Sequence, residues 1–145
     1  MKKVICILIV ILTLTAAALA DQAVTLPGGF ALDVPDNMNY DAEKGTDSDF
    51  CFAYVSSQLE MDVFSYPGSG ELRDMVEMLN EQGENAELRK INGIEAICFR
   101  GSDPADGTPF IGYLMKGGDQ LTEVVFWYAT QEAGDRTRTI METLR

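Results

Sequence analysis

The sequence predicts an α+β domain: a twisted antiparallel sheet of about six to eight strands, in the order ββ-ββ-α-ββ-ββ-α, with helices packed on its faces. Three observations carry this expectation. Short apolar runs are separated by Gly-rich breaks, the pattern of strands joined as hairpins. Two other segments repeat apolar residues at helical spacing. Two of the strand-like runs, Phe50 to Val55 and Val124 to Ala129, are apolar on both sides, so they belong in the middle of a sheet covered on both faces.

The chain opens with Lys2 and Lys3, then an apolar run from Val4 to Leu14 and the small-x-small site Ala18-Leu19-Ala20. This is the order of a secretory signal, so residues 1–20 are expected to be removed, leaving 21–145 as one domain beginning at Asp21. The run is short for a membrane span, so no stable membrane anchor is expected after cleavage. Cys6 stands at the start of the apolar run, where a lipidated Cys does not belong. The product is expected to be secreted or periplasmic, and the short basic stretch is of the bacterial kind.

In the remainder, Ala23 to Pro27 and Phe30 to Pro35 read as strands around Gly28-Gly29. Residues 36–48 are polar and read as a loop. Asp49 to Ser56 and Leu59 to Tyr66 read as strands joined at Ser57-Gln58. A helix is expected over about 70–82, with Leu72, Met75, Val76 and Leu79 on one face, Ser69 as N-cap and Gly83 just past the end. Ala86 to Ile91 and Ile94 to Arg100 flank Asn92-Gly93, the pair that suits a type I′ hairpin turn. Phe110 to Lys116 and Leu121 to Thr130 follow a loop at 101–109 and flank Gly117-Gly118. Asp135 is expected to cap a last helix over about 136–144, with Ile140, Met141 and Leu144 inward.

Composition narrows the function. The chain has 145 residues, 23 Asp plus Glu against 11 Lys plus Arg, and no His. Removing Lys2 and Lys3 with the leader leaves nine bases against the same 23 acids, a net charge of −14. Such a charge argues against nucleic acid as partner and favours a basic or neutral one. Without His there is no His-based triad and no His-ligated zinc.

Several features resemble the PsbP-like fold family of exported bacterial PsbP- and DcrB-like domains. Phe30-Ala31-Leu32-Asp33-Val34-Pro35-Asp36-Asn37-Met38 is similar to the family's entry of apolar strand, Pro and aromatic, with Met38 and Tyr40 where Trp is commoner. Ile91-Asn92-Gly93-Ile94-Glu95-Ala96 resembles its recurrent hairpin, and the aromatic strand and helix ending at Met141-Glu142-Thr143-Leu144 resemble its close. The resemblance covers most of 22–145. It implies a domain of a generally non-enzymatic kind that acts by binding protein partners or by means not known, and it supplies no catalytic residue to carry over.

The remaining constellations each have two readings. Asp41, Glu43, Asp47 and Asp49 around Gly45 offer oxygens to a cation, but not at EF-hand spacing, and read first as a solvated loop. Asp103 and Asp106 form a carboxylate pair of the kind a hydrolase uses, and also what a turn requires. Ser56, Ser57 and Ser102 lack an activating base. Met75 and Met78 lie on the helix as packing residues. Cys51 and Cys98 are either a disulfide or two buried thiols. Phe126, Trp127 and Tyr128 are either core or the floor of a partner groove. The expected function is an exported, non-catalytic binding or accessory domain with a protein or peptide partner and no cofactor or metal. The alternative is an extracytoplasmic hydrolase using Asp103 and Asp106.

Overall fold

The computed structural model describes residues 21–145, so the expected leader at 1–20 lies outside the described residues. Two strands, β1 (Asp21–Thr25) and β2 (Ala31–Pro35), form a separate antiparallel ribbon around a short turn at Pro27–Gly29. The main sheet comprises β3 (Asn39–Asp41), β4 (Phe50–Val55), β5 (Leu59–Pro67), β6 (Glu87–Ile91), β7 (Ile94–Ser102), β8 (Pro109–Gly117) and β9 (Gln120–Tyr128). Its order is β3-β4-β5-β9-β8-β7-β6, with every neighbouring pair antiparallel. Helix α1 (Leu72–Glu81) separates the two halves of the sheet in sequence, and α2 (Gln131–Met141) follows β9. The halves join where β5 pairs with β9 along its whole length, from Leu59↔Tyr128 to Pro67↔Gln120.

Strand period then sorts the side chains. Met61, Val63, Val124, Phe126, Tyr113, Met115, Ala96 and Cys98 point to one face. The ribbon covers that face with Leu32 and Val34, and α2 covers it with Ala133, Ile140 and Met141. Ile97, Phe99, Leu114 and Leu121 point to the other face, where α1 packs through Leu72 and the half-buried Met75, Val76 and Leu79. Phe99 lies across Gly112 of the neighbouring strand, where a Cβ would stand 2.0 Å from the ring. The ribbon is clamped from the far end of the chain. Ala31 and Arg145 exchange both backbone hydrogen bonds (2.8 and 3.0 Å), and the Asp33 amide donates to Thr143 Oγ1 at 2.8 Å.

The hairpins follow their turn chemistry. Asn92 and Gly93 adopt φ of 50° and 84°, the left-handed pair that a two-residue turn between β6 and β7 requires. Central placement holds for β9, with three strands on either side. It fails for β4, which lies one strand from the edge and keeps Phe52 half-buried. The polar stretch at 36–48 contains a strand, β3, whose exposed residues pair with β4, Tyr40 packing on Phe52 and Tyr54. Both helix starts move. Thr130 caps α2, its Oγ1 accepting from the Ala133 amide at 3.2 Å, so the helix begins ahead of Asp135 and β9 stops at Tyr128. Glu71, not Ser69, precedes α1, and no side chain caps it.

The disulfide does not form. Cys51 and Cys98 are free thiols on β4 and β7. Four inter-strand steps separate those strands, roughly 19 Å at about 4.8 Å each, whereas bridged Cα atoms lie within about 7 Å. Burial raises both thiols above their ordinary value.

Candidate functional site

Strand alternation divides the aromatic triplet at the end of β9. Phe126 is fully buried on the face covered by α2, edge-on to Tyr113 at 6.1 Å, so it is core and not partner surface. Tyr128 shares that face, half-buried against Gly134 of α2. Trp127 points to the opposite face and stays partly exposed. It stacks obliquely on its cross-strand partner Phe110, with ring centroids 5.0 Å apart, and its indole N–H donates to Asp62 Oδ2 at 3.1 Å.

Trp127 is one wall of a cleft of about 330 Å³ at this end of the sheet. Ser56–Gln58 of the β4–β5 turn and Asp106–Pro109 of the β7–β8 loop form the other walls, with Glu60 and Tyr128. The structure thus joins Ser56, Ser57, Asp106, Trp127 and Tyr128, which the sequence offers as unrelated candidates. It leaves Asp103 and Ser102 outside. Ser56 is spent on its own turn, its Oγ donating to the Leu59 carbonyl at 3.0 Å. Each loop carboxylate also serves its own backbone. Asp103 Oδ1 accepts from the Ala105 amide (2.7 Å), and Asp106 Oδ1 accepts from the Thr108 amide (2.8 Å). The hydrogen bonding from Thr108 holds the Asp106 carboxyl below the usual carboxylate range.

Behind Trp127 stands a pair of half-buried carboxylates. Asp62 and Glu123 lie on adjacent strands, two positions out of register, on the face that α1 covers elsewhere. Burial raises the Asp62 carboxyl against the opposing pull of Lys44 and the Trp127 hydrogen bond, and its Oδ1 has no hydrogen-bond partner. Burial likewise raises Glu123, which accepts from the Tyr66 hydroxyl, and both burial and Glu123 push Tyr66 far above its ordinary value. Lys44 reaches back from the 42–49 loop to pair with Glu60. Alternation in Leu59-Glu60-Met61-Asp62-Val63 marks the acids as facing away from the core, but not the cover that the loop and Trp127 provide. Among the described residues, no three Cys, Asp or Glu side chains converge to hold a metal ion, the Asp41–Asp49 loop included.

Neither a family profile nor a curated protein matches the chain in sequence. Solved structures do match in shape. The solution structure of cyanobacterial PsbP (CyanoP) from Synechocystis sp. PCC 6803 superimposes with a TM-score of 0.60, at 13% identity, over 90% of this chain and 95% of that one. The fold is PsbP-like. A crystal structure from Bacteroides thetaiotaomicron VPI-5482 also matches at a TM-score of 0.60 and 15% identity, over 86% of this chain. The present chain spans only 47% of that protein. At such identities the likeness concerns architecture alone. Within this PsbP-like domain, no helix of the described residues is long and apolar enough to cross a membrane.

Proposed function

We propose that residues 21–145 act as an exported, non-catalytic binding domain that takes a protein or peptide segment against Trp127. The observation that carries this reading is the partly exposed indole beside Phe110, on the wall of a cleft formed with the residues of two turns. A partly exposed aromatic anchor at the edge of a cleft suits a peptide segment that buries the ring. Glu60 and Asp106 on the cleft wall, in a domain of charge −14, favour a basic or neutral segment over an acidic one, and argue against nucleic acid. Export rests on the leader pattern at 1–20, which places the domain in the periplasm or outside the cell with no membrane anchor after cleavage. The hydrolase alternative draws support from Asp106 lining the cleft. It needs a carboxyl that gives a proton, and Asp106 is exposed and held ionised.

The test uses the mature chain to capture partners from extracytoplasmic material of the source cell, with Trp127→Ala and Tyr40→Ala in parallel. Tyr40 is an exposed aromatic on the edge strand β3 and is not among the residues that line the cleft. A partner held by the parent and by Tyr40→Ala but lost with Trp127→Ala is expected. Trp127 is the sole tryptophan, so titration of that partner should shift the intrinsic fluorescence. An identical set of captured proteins on all three chains overturns the reading.

A further inference from the structure

We infer that the opposite face carries a second site, for a small phosphate-type oxyanion, built by Arg89, Arg100 and Arg138. These residues come from β6, β7 and α2, and they line one hollow of about 210 Å³ between the sheet and the helix. The register accounts for their meeting. Arg89 pairs with Ala96 and Glu87 with Cys98, so Arg89 shares the α2-covered face with Cys98. Arg100 is two positions beyond Cys98 on β7 and points the same way. Arg138 descends on them from the helix.

The charge pattern makes this placement informative. Residues 21–145 hold nine basic side chains among 23 acids, and three of the nine line this one hollow. Asp135 is the only acid on its wall. Arg89 pairs with Glu87, but Arg100 and Arg138 form no ion pair among the described residues. A chain so rich in carboxylates has neutralising partners to spare, yet sets these three exposed arginines around one hollow with Arg100 and Arg138 unpaired among the described residues. An anion seated in the hollow would face positive charges from three elements at once.

The hollow also specifies the anion. Guanidinium groups that approach from two strands and from a helix above them suit a tetrahedral oxyanion, which presents oxygens in several directions, better than a planar carboxylate. Tyr113 is nearly buried on the wall and pushed up to about 12, chiefly by burial, so it stays protonated and able to donate. Gln131 adds an uncharged donor at the rim, while Ile111 and the Tyr128 ring give an apolar side. The volume falls below the roughly 300 Å³ usual for a drug-sized ligand, so it admits a phosphate group with a few further atoms. The ligand is therefore inorganic phosphate or the end of a small phosphate monoester. This hollow shares only Tyr128 with the Trp127 cleft, and the inference does not rest on that cleft.

Thermal unfolding and isothermal titration of the 21–145 chain test the inference, with inorganic phosphate, glycerol phosphate, and sodium chloride at matched ionic strength. The expected result is a saturable 1:1 response to phosphate that sodium chloride does not give. Arg100→Gln and Arg138→Gln should each weaken it by about tenfold or more, as loss of a charge-assisted contact does. Arg136→Gln should leave it unchanged, because Arg136 pairs with Glu132 on the same helix and is not on the wall. The anion-free Arg100→Gln chain should melt no lower than the parent, which a purely structural arginine would not allow. Tighter binding of glycerol phosphate assigns the site to a monoester, and equal binding assigns it to free phosphate. A response matched by sodium chloride, or one that survives both arginine replacements, overturns the proposal.

Discussion

The two faces of the sheet are both apolar but are closed to different degrees. On one, α2 buries Ala133, Gly134, Thr137, Ile140 and Met141, its N-terminus is capped by Thr130, and the ribbon fills the remaining area with Leu32 and Val34. On the other, α1 fully buries Leu72 alone, carries no side-chain cap, and leaves β5 and the end of β9 to a loop and to Trp127. The difference shows that one helix cannot cover one side of a seven-stranded sheet. The uncovered part is where half-buried carboxylates and a partly exposed indole occur, groups that a sealed interior would exclude. Tight packing is therefore concentrated on one side, and partly exposed polar and aromatic groups on the other.

The sharpest way to break this comparison is to truncate one residue on each side and measure urea unfolding. Phe126→Ala should cost about 3–5 kcal/mol, as for a large ring removed from a packed core. Val76→Ala in α1, half-buried, should cost about 1 kcal/mol or less. Equal losses would show that the faces are equally closed. The carboxylate pair gives the next effect. Burial raises Asp62 and Glu123, so the folded chain holds their protons more tightly than the unfolded one. Their contribution is then most favourable below the unfolded carboxylate values near about 4, and is lost as pH rises through the folded ones. Replacing both by Asn and Gln should make the chain more stable than the parent at pH 7 and flatten its stability between pH 4 and 7, read from melting temperatures across that range. The smallest effects come from the helix starts. Thr130→Ala should cost about 1 kcal/mol, whereas Glu71→Ser, which supplies the cap that α1 lacks, should add several tenths, both measured by urea midpoint.

Much of this architecture is legible in the residues themselves. Asn92-Gly93 announces its turn because few other pairs adopt two positive φ values, and the doubly apolar Val124–Tyr128 stretch announces the centre of the sheet. What escapes has a physical reason in each case. The strand β3 is exposed throughout and is held by backbone hydrogen bonds, so no side-chain period betrays it. Thr130 reads equally well as a strand residue or as a cap, and only the neighbouring fold decides. The burial of Asp62 depends on where the 42–49 loop lands, and alternation shows direction but not cover. Of the cleft residues, Trp127, Tyr128 and Asp106 stand out in sequence by type; their proximity does not. Arg89, Arg100 and Arg138 are unremarkable singly, and only strand register and helix docking bring them to one wall.

The clamp on the ribbon has a consequence for synthesis. The outer edge of β2 pairs with Arg145, and the Asp33 amide rests on Thr143, partners more than a hundred positions downstream. Asp33 also meets the Arg145 guanidinium at 2.8 Å. A nascent chain can form the Asn92-Gly93 hairpin as soon as those residues leave the ribosome, because its contacts are local. The ribbon is made first but seated last. Its final position awaits the closing residues of the domain, so an interrupted or shortened polypeptide exposes Leu32 and Val34 to water and to any other chain within reach.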